Sequence, residues 1–169
     1  MNHDNTPEIA LSSLAWRNAM ARLAVHDKPG FFALRAQLPE QGRTNQVMAA
    51  SNQLNVVLKT YASGGENELH AHTNEDHMFV VMQGSATFYG PGGEFRVVNL
   101  HEGVVLPRGV LYRFVANGPE PLVLLRVGAV IDPSKDPLAR IDDKGQDFDG
   151  YAQSNHEVPC VLSKDRWFS

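Results

Sequence analysis

Between residues 31 and 131 the chain alternates short runs of Val, Leu, Phe and Tyr with clusters of Gly, Pro, Asn and Ser. The apolar runs fall at residues 32–36, 46–49, 54–61, 77–82, 86–89, 95–100, 104–106, 112–116 and 122–131. Turn clusters separate them, among them Ser63-Gly64-Gly65, Gln83-Gly84, Gly90-Pro91-Gly92-Gly93, Pro107-Arg108-Gly109 and Asn117-Gly118-Pro119. Many short strands with Gly/Pro turns and no helical pattern between them predict an all-β antiparallel sandwich or barrel. Upstream, Ile9, Leu11, Leu14, Ala15, Ala19 and Leu23 approximate a helical stripe, with Ser12 or Ser13 as cap and Lys28-Pro29-Gly30 as stop. Downstream the chain is polar, Asp-rich and without periodicity. The expected organisation is a tail and short helix over 1–30, a barrel over 31–131, and over 132–169 an arm that packs on the barrel or on a partner subunit.

Composition narrows the function classes. A chain of 169 residues can bury a real core as one domain. The net charge of -4 lacks the basic footprint of a nucleic-acid binder. The single cysteine, Cys160, excludes an intramolecular disulfide framework and a Cys-based zinc ribbon. Cys160 has no base beside it in sequence and reads as a small buried hydrophobe. No basic segment followed by an apolar one opens the chain, so a signal peptide is not expected. The apolar stretch 121–131 is broken by Arg126 and is shorter than the roughly 20 residues a membrane span needs. The expected compartment is the cytoplasm, with no membrane partner.

Of seven histidines, three lie within eight residues: His70, His72 and His77. On an extended strand positions i and i+2 share a face, so His70 and His72 project together. The polar segment 73–76 reads as a turn, after which a strand re-enters at His77 with Phe79 and Val81 on the same face. Three imidazoles converging inside an apolar barrel suit Zn, Fe, Mn, Cu or Ni. Without a metal, such a cluster has donors and acceptors that are hard to satisfy.

The full spacing runs Gly64, five residues, His70-Ala71-His72, four residues, His77, six residues, Gly84. This resembles the first motif of the cupin family. Gly103, Pro107-Arg108-Gly109, Tyr112 and Asn117 resemble the second, with the Gly closer to the Pro and the Asn later than usual. The resemblance spans about residues 50–130. It implies a double-stranded β-helix (jelly-roll) barrel, often a homodimer, with one divalent transition metal per subunit, Fe or Zn ahead of Mn or Ni. His77 stands where the motif has Glu, and Tyr112 stands where it has its last His. The implied ligand set is therefore His70, His72, His77 and Tyr112. Asp76 and Glu75 are rivals for the third place, and Tyr112 is alternatively a proton donor beside the metal. The resemblance implies a metal-dependent enzyme acting on a small oxygenated organic molecule. A dioxygenase cleaving a C–C bond is the first reading. A redox-neutral isomerase, cyclase or lyase is the second, and a non-catalytic small-molecule-binding cupin the third.

Strand alternation puts Phe79 and Gln83 on the face of His77, and Phe114 on that of Tyr112, as pocket lining. Lys59 shares a face with Asn55 and Val57; it could reach a substrate acid, but a solvated edge lysine is the expectation. Arg43 and Gln46 lie on the approach to the barrel; Arg43 could anchor a carboxylate, but a surface arginine is the expectation. His101 lies in a turn and is expected to be exposed. His3, His26 and His156 fall outside the motifs and receive no role.

Overall fold

The computed structural model describes residues 7–155 and 158–169, so His3 and His156 lie outside the described residues. One helix, α1 (Ser13–Leu23), precedes β1 (Ala36–Gln41), β2 (Arg43–Ala50), β3 (Leu54–Tyr61), β4 (His70–His72), β5 (Glu75–Gln83) and β6 (Ala86–Gly90). There follow β7 (Gly93–Val98), β8 (Gly103–Leu106), β9 (Arg113–Ala116), β10 (Leu122–Val130), β11 (Arg140–Asp142) and β12 (Val161–Phe168). Every ladder between these strands is antiparallel.

Two walls make the barrel. One is a five-stranded sheet in the order β2-β3-β10-β5-β8. The other joins the sheet β7-β6-β9 to the pair β4-β11. The junction is a reciprocal pair of backbone bonds: Tyr112 N donates to the His70 carbonyl at 2.9 Å, and His70 N to the Tyr112 carbonyl at 3.1 Å. Between the walls pack Tyr61, Phe79, Val81, Phe88, Phe114, Leu122 and Leu124. Each such side chain contributes about 1.5–3 kcal/mol by leaving water. The result is an all-β jelly-roll barrel.

β3 shows how the outer layers matter. Its Asn55, Val57, Lys59 and Tyr61 face inward, while Val56 and Leu58 join Ala36, Leu38, Met48 and Val123 on the outer face. β1, paired with the C-terminal β12, lies over that outer face. A strand covered on both sides loses the polar alternation that marks a half-exposed one.

Four local expectations need correction. Residues 32–36 do not form a strand; the strand is β1, starting at Ala36, and it tolerates Pro39 because bulges interrupt its pairing with β12. The helix stops at Leu23, ahead of Lys28-Pro29-Gly30. Its buried stripe is Trp16, Ala19 and Met20, at i, i+3 and i+4, whereas Leu11 and Leu14 are 77% and 64% exposed. The Ser12 side chain is the cap, accepting from Ala15 N at 3.0 Å. Fourth, the polar C-terminal stretch contains regular structure, since β11 extends β4 and β12 extends β1. His101 is exposed, at φ 66° in the β7–β8 turn. Cys160 is half-buried, and burial raises its thiol pKa.

Candidate metal centre

β4 is three residues long, and its register fixes the site. His72 pairs across the ladder with Arg140, and His70 with Asp142. The following turn is pinned by residues of the C-terminal segment. Thr73 N donates to the Ala139 carbonyl at 3.1 Å, and the Asn74 side chain exchanges bonds of 2.9 Å with Asp132. β5 then starts with Glu75, and its alternation sends Glu75, His77, Phe79 and Val81 inward. Asp76 points the other way and accepts from Arg108 N at 2.8 Å, so it takes no place at the centre.

His70, His72, His77 and Tyr112 are all buried and close together. Ring centroids lie 5.5 Å apart for His70 and His72, 4.3 Å for His72 and His77, and 4.7 Å for His70 and Tyr112. Donor atoms of His72, Glu75 and His77 all fall within 4.8 Å of one another, a grouping able to hold a metal ion. His70 stands beside this trio. Its Nδ1 is 2.7 Å from the Glu68 carbonyl, and its ring stacks on Phe148 at 4.7 Å. His77 Nε2 is 3.1 Å from the Tyr112 hydroxyl.

Of the pocket residues, Phe114 lines the cavity at the histidines. Phe79 packs edge-on against His77 at 5.4 Å. Gln83 is placed elsewhere than expected: its amide donates to the Pro121 carbonyl at 2.9 Å, near the far end of β5 where a bulge interrupts the pairing.

The electrostatics are dominated by burial and positive charge. Burial, with help from Arg140 and Arg126, holds His70, His72 and His77 well below the ordinary imidazole value, so all three stay neutral. Burial likewise pushes the Tyr112 hydroxyl up to about 12. The cations come from side chains whose burial was not anticipated. Lys59 is 6% exposed, not a solvated edge residue, and Arg43 is equally buried, donating to Asn67 and to the Gly150 carbonyl. Arg126 is ion-paired with Glu75 and donates to Asn55 Oδ1 at 2.9 Å. Gly128 makes room for this group, because a Cβ there would collide with the Glu75 carboxylate. Trp16, from α1, closes over Lys59, Arg126 and Arg140, its ring 5.6–5.9 Å from each cation.

The sequence held one hint of these charges: Arg126 interrupts an otherwise apolar run, and an Arg in a two-face-buried strand needs a buried partner. Arg140, inside the Asp-rich stretch, offered none.

The donor set fits a metal. Two buried imidazole nitrogens, His72 Nδ1 and His77 Nδ1, have no hydrogen-bond partner, and neutral imidazole is the ligating form. His70 has one nitrogen held by a backbone carbonyl, the arrangement that orients a ligating histidine.

The model of the cupin domain matches residues 57–128. A search of curated proteins found no match. Among solved structures, KdgF from a Halomonas species is similar, with 21% identity and a TM-score of 0.51 over 62% of this chain and 98% of that one. An RmlC-like cupin from Shewanella frigidimarina matches at 18% identity and a TM-score of 0.50, over 62% and 95% of the two chains. An RmlC-like cupin from Desulfovibrio desulfuricans matches at 20% and 0.50, over 62% and 97%. These likenesses concern the fold: with the match of the cupin-domain model to residues 57–128 and the barrel described above, they show that this chain carries a cupin-type jelly-roll barrel.

Proposed function

We propose that this protein is a metal-dependent enzyme acting on a small oxygenated organic molecule. The carrying observation is the buried, neutral histidine cluster with unpartnered ring nitrogens at His72 and His77. His70, His72 and His77 are the proposed ligands. Glu75 is the rival for the third place, since its oxygens lie within reach of His72 and His77. Arg126 and Asn55 already engage both of those oxygens, however, while His70 Nε2 has no hydrogen-bond partner among the described residues. When bound, the metal would act as a Lewis acid toward a substrate oxygen and offer open positions for a second ligand.

The chain's own residues supply the remaining functions. Phe79 and Phe114 keep water from the reacting face. Tyr112 keeps its proton at neutral pH, because burial opposes the phenolate. Its hydroxyl, hydrogen-bonded to His77, is placed to donate that proton to a substrate oxygen.

Two reaction types fit these residues. Dioxygen-dependent C–C cleavage is the first reading, on the neutral three-histidine ligand set. The protonated Tyr112 favours the second, a redox-neutral isomerisation, cyclisation or lyase step with the tyrosine as acid. Anaerobic reconstitution with iron, followed by oxygen-uptake assays on diketone and catechol-like substrates, separates them. Oxygen consumption supports the dioxygenase. Stoichiometric zinc or nickel in the purified protein, with no uptake by the iron form, removes it and leaves the redox-neutral reading.

A further inference from the structure

The barrel holds more positive charge than it neutralises. Four cationic side chains are buried around the histidines, and among the described residues Glu75 is the one carboxylate ion-paired with any of them. Arg126 is matched by that carboxylate, and Arg43 is bound by Asn67 and a backbone carbonyl. Lys59 and Arg140 are different. They are 6% and 8% exposed, and among the described residues neither side chain has a hydrogen-bond acceptor or an ion-pair partner. The Arg140 Nε is fully enclosed and unpartnered.

Both side chains line one cavity together with His70, His72 and Tyr112. The open space there is about 10 Å³, room for a water-sized group. Aromatic rings at Trp16, Tyr61 and Phe79 lie 5.6–5.9 Å from the Lys59 ammonium, and Trp16 is 5.9 Å from Arg140. A ring face attracts a cation but does not replace the hydration it has lost. Burial, reinforced by Arg43, Arg126 and Arg140, weakens proton binding at Lys59, a sign that the charge is uncompensated.

The placement is built into the fold. Lys59 comes from β3 on one wall, and Arg140 from β11 on the other, directly across the ladder from His72. Gly150 lacks the Cβ that would strike the Arg140 guanidinium.

We infer that Lys59 and Arg140 form a receptor for the carboxylate of a small organic acid, which would sit beside the histidine cluster. A guanidinium fork and a neighbouring ammonium match the two oxygens of a carboxylate. A bound carboxylate requires the cavity to widen beyond its present water-sized space, and a planar group demands less widening than a tetrahedral phosphate or sulfate. The inference deepens the proposed function by giving its substrate a chemical class, and it rests on this cavity being the substrate site.

The test uses the full chain, as purified and after dialysis against EDTA, with acetate as probe. Acetamide, sulfate and chloride at matched ionic strength are the comparisons, and the thermal midpoint and the acetate Kd are the readouts. Acetate is expected to raise the midpoint in both preparations, and the three comparisons are not. Lys59→Met is expected to raise the midpoint in plain buffer, by removing an unpaired buried charge, and to weaken acetate at least about tenfold. Arg140→Met is the second variant, with the same loss of acetate binding, should Lys59→Met fail to fold. An acetate response that persists after EDTA dialysis stands on the two cations without metal, so failure of the metal reading and failure of this one are separately visible. No acetate response in either preparation overturns the inference. So does an equal response to sulfate, or undiminished acetate binding in the folded lysine and arginine variants.

Discussion

At the scale of single residues, Glu75 separates two jobs that its position allows. It is fully buried, ion-paired with Arg126, and within donor reach of His72 and His77. Breaking a buried pair leaves a charge without a counterpart, so Glu75→Gln is expected to cost about 3 kcal/mol in urea unfolding. If the ligands are the three histidines, that variant still takes up metal; loss of metal together with stability would make Glu75 the third ligand. Tyr112→Phe removes only a hydroxyl, 3.1 Å from His77 Nε2. It is expected to keep the fold and the metal and to lower turnover about 10²-fold or more, the usual contribution of a positioned acid. Unchanged turnover would return Tyr112 to a packing role. Both residues were visible in the sequence through the resemblance of its two motifs, Glu75 as a rival for the third ligand place and Tyr112 standing where the last histidine is usual. The outward direction of Asp76 follows from strand alternation once β5 is known to begin at Glu75.

At the scale of elements, α1 acts as a plug. The Trp16 side chain is 1% exposed and covers three cations, and the helix is tied to the C-terminal segment by Arg17 to Asp136 at 2.9 Å and Ser13 to Asp149 at 2.8 Å. Trp16→Ala is expected to lose about 3–5 kcal/mol and to speed exchange of the amides in β2, on which α1 packs. Unchanged exchange in β2 would show that the helix is not part of the barrel's closure. The sequence could suggest this helix but not its buried face, since Leu11 and Leu14 look as suitable as Trp16 and Met20 until a partner surface exists. Lys59 shows the same difficulty. Alternation placed it correctly on the face of Asn55 and Val57, but whether that face meets water depends on Trp16, brought in from another element. The pairing of β1 with β12 was illegible for a related reason: β12 is exposed along most of its length and carries the charged run Lys164-Asp165-Arg166, and its strand character comes from the edge it completes.

At the scale of the whole molecule, burying three imidazoles as neutral groups ties stability to pH. Their folded-state pKa values lie below the ordinary 6.5, with burial the largest cause in each. The unfolded chain therefore binds more protons than the folded one below that value, and the unfolding free energy falls as pH drops. The metal-free protein is expected to hold its stability above pH ~7 and to lose it below ~6.5, with a slope approaching about 4 kcal/mol per pH unit for three protons. Chemical denaturation between pH 7.5 and 5 checks this, and a flat profile would mean that the imidazoles are solvated or already protonated. The barrel itself was legible from its short strands and Gly/Pro turns. Its internal charge was not, because the net charge of -4 sums the whole chain and does not show where the cations gather.

The central claim is that this histidine cluster is a metal site, and metal stoichiometry tests it most directly. Wild-type protein and the His72→Ala and His77→Ala variants would be dialysed against iron or zinc, freed of excess and measured by elemental analysis, with circular dichroism to verify the fold. About one metal per wild-type chain is expected, and almost none in the folded variants. Folded variants that keep the wild-type content, or a wild-type protein that takes up neither metal, would contradict it.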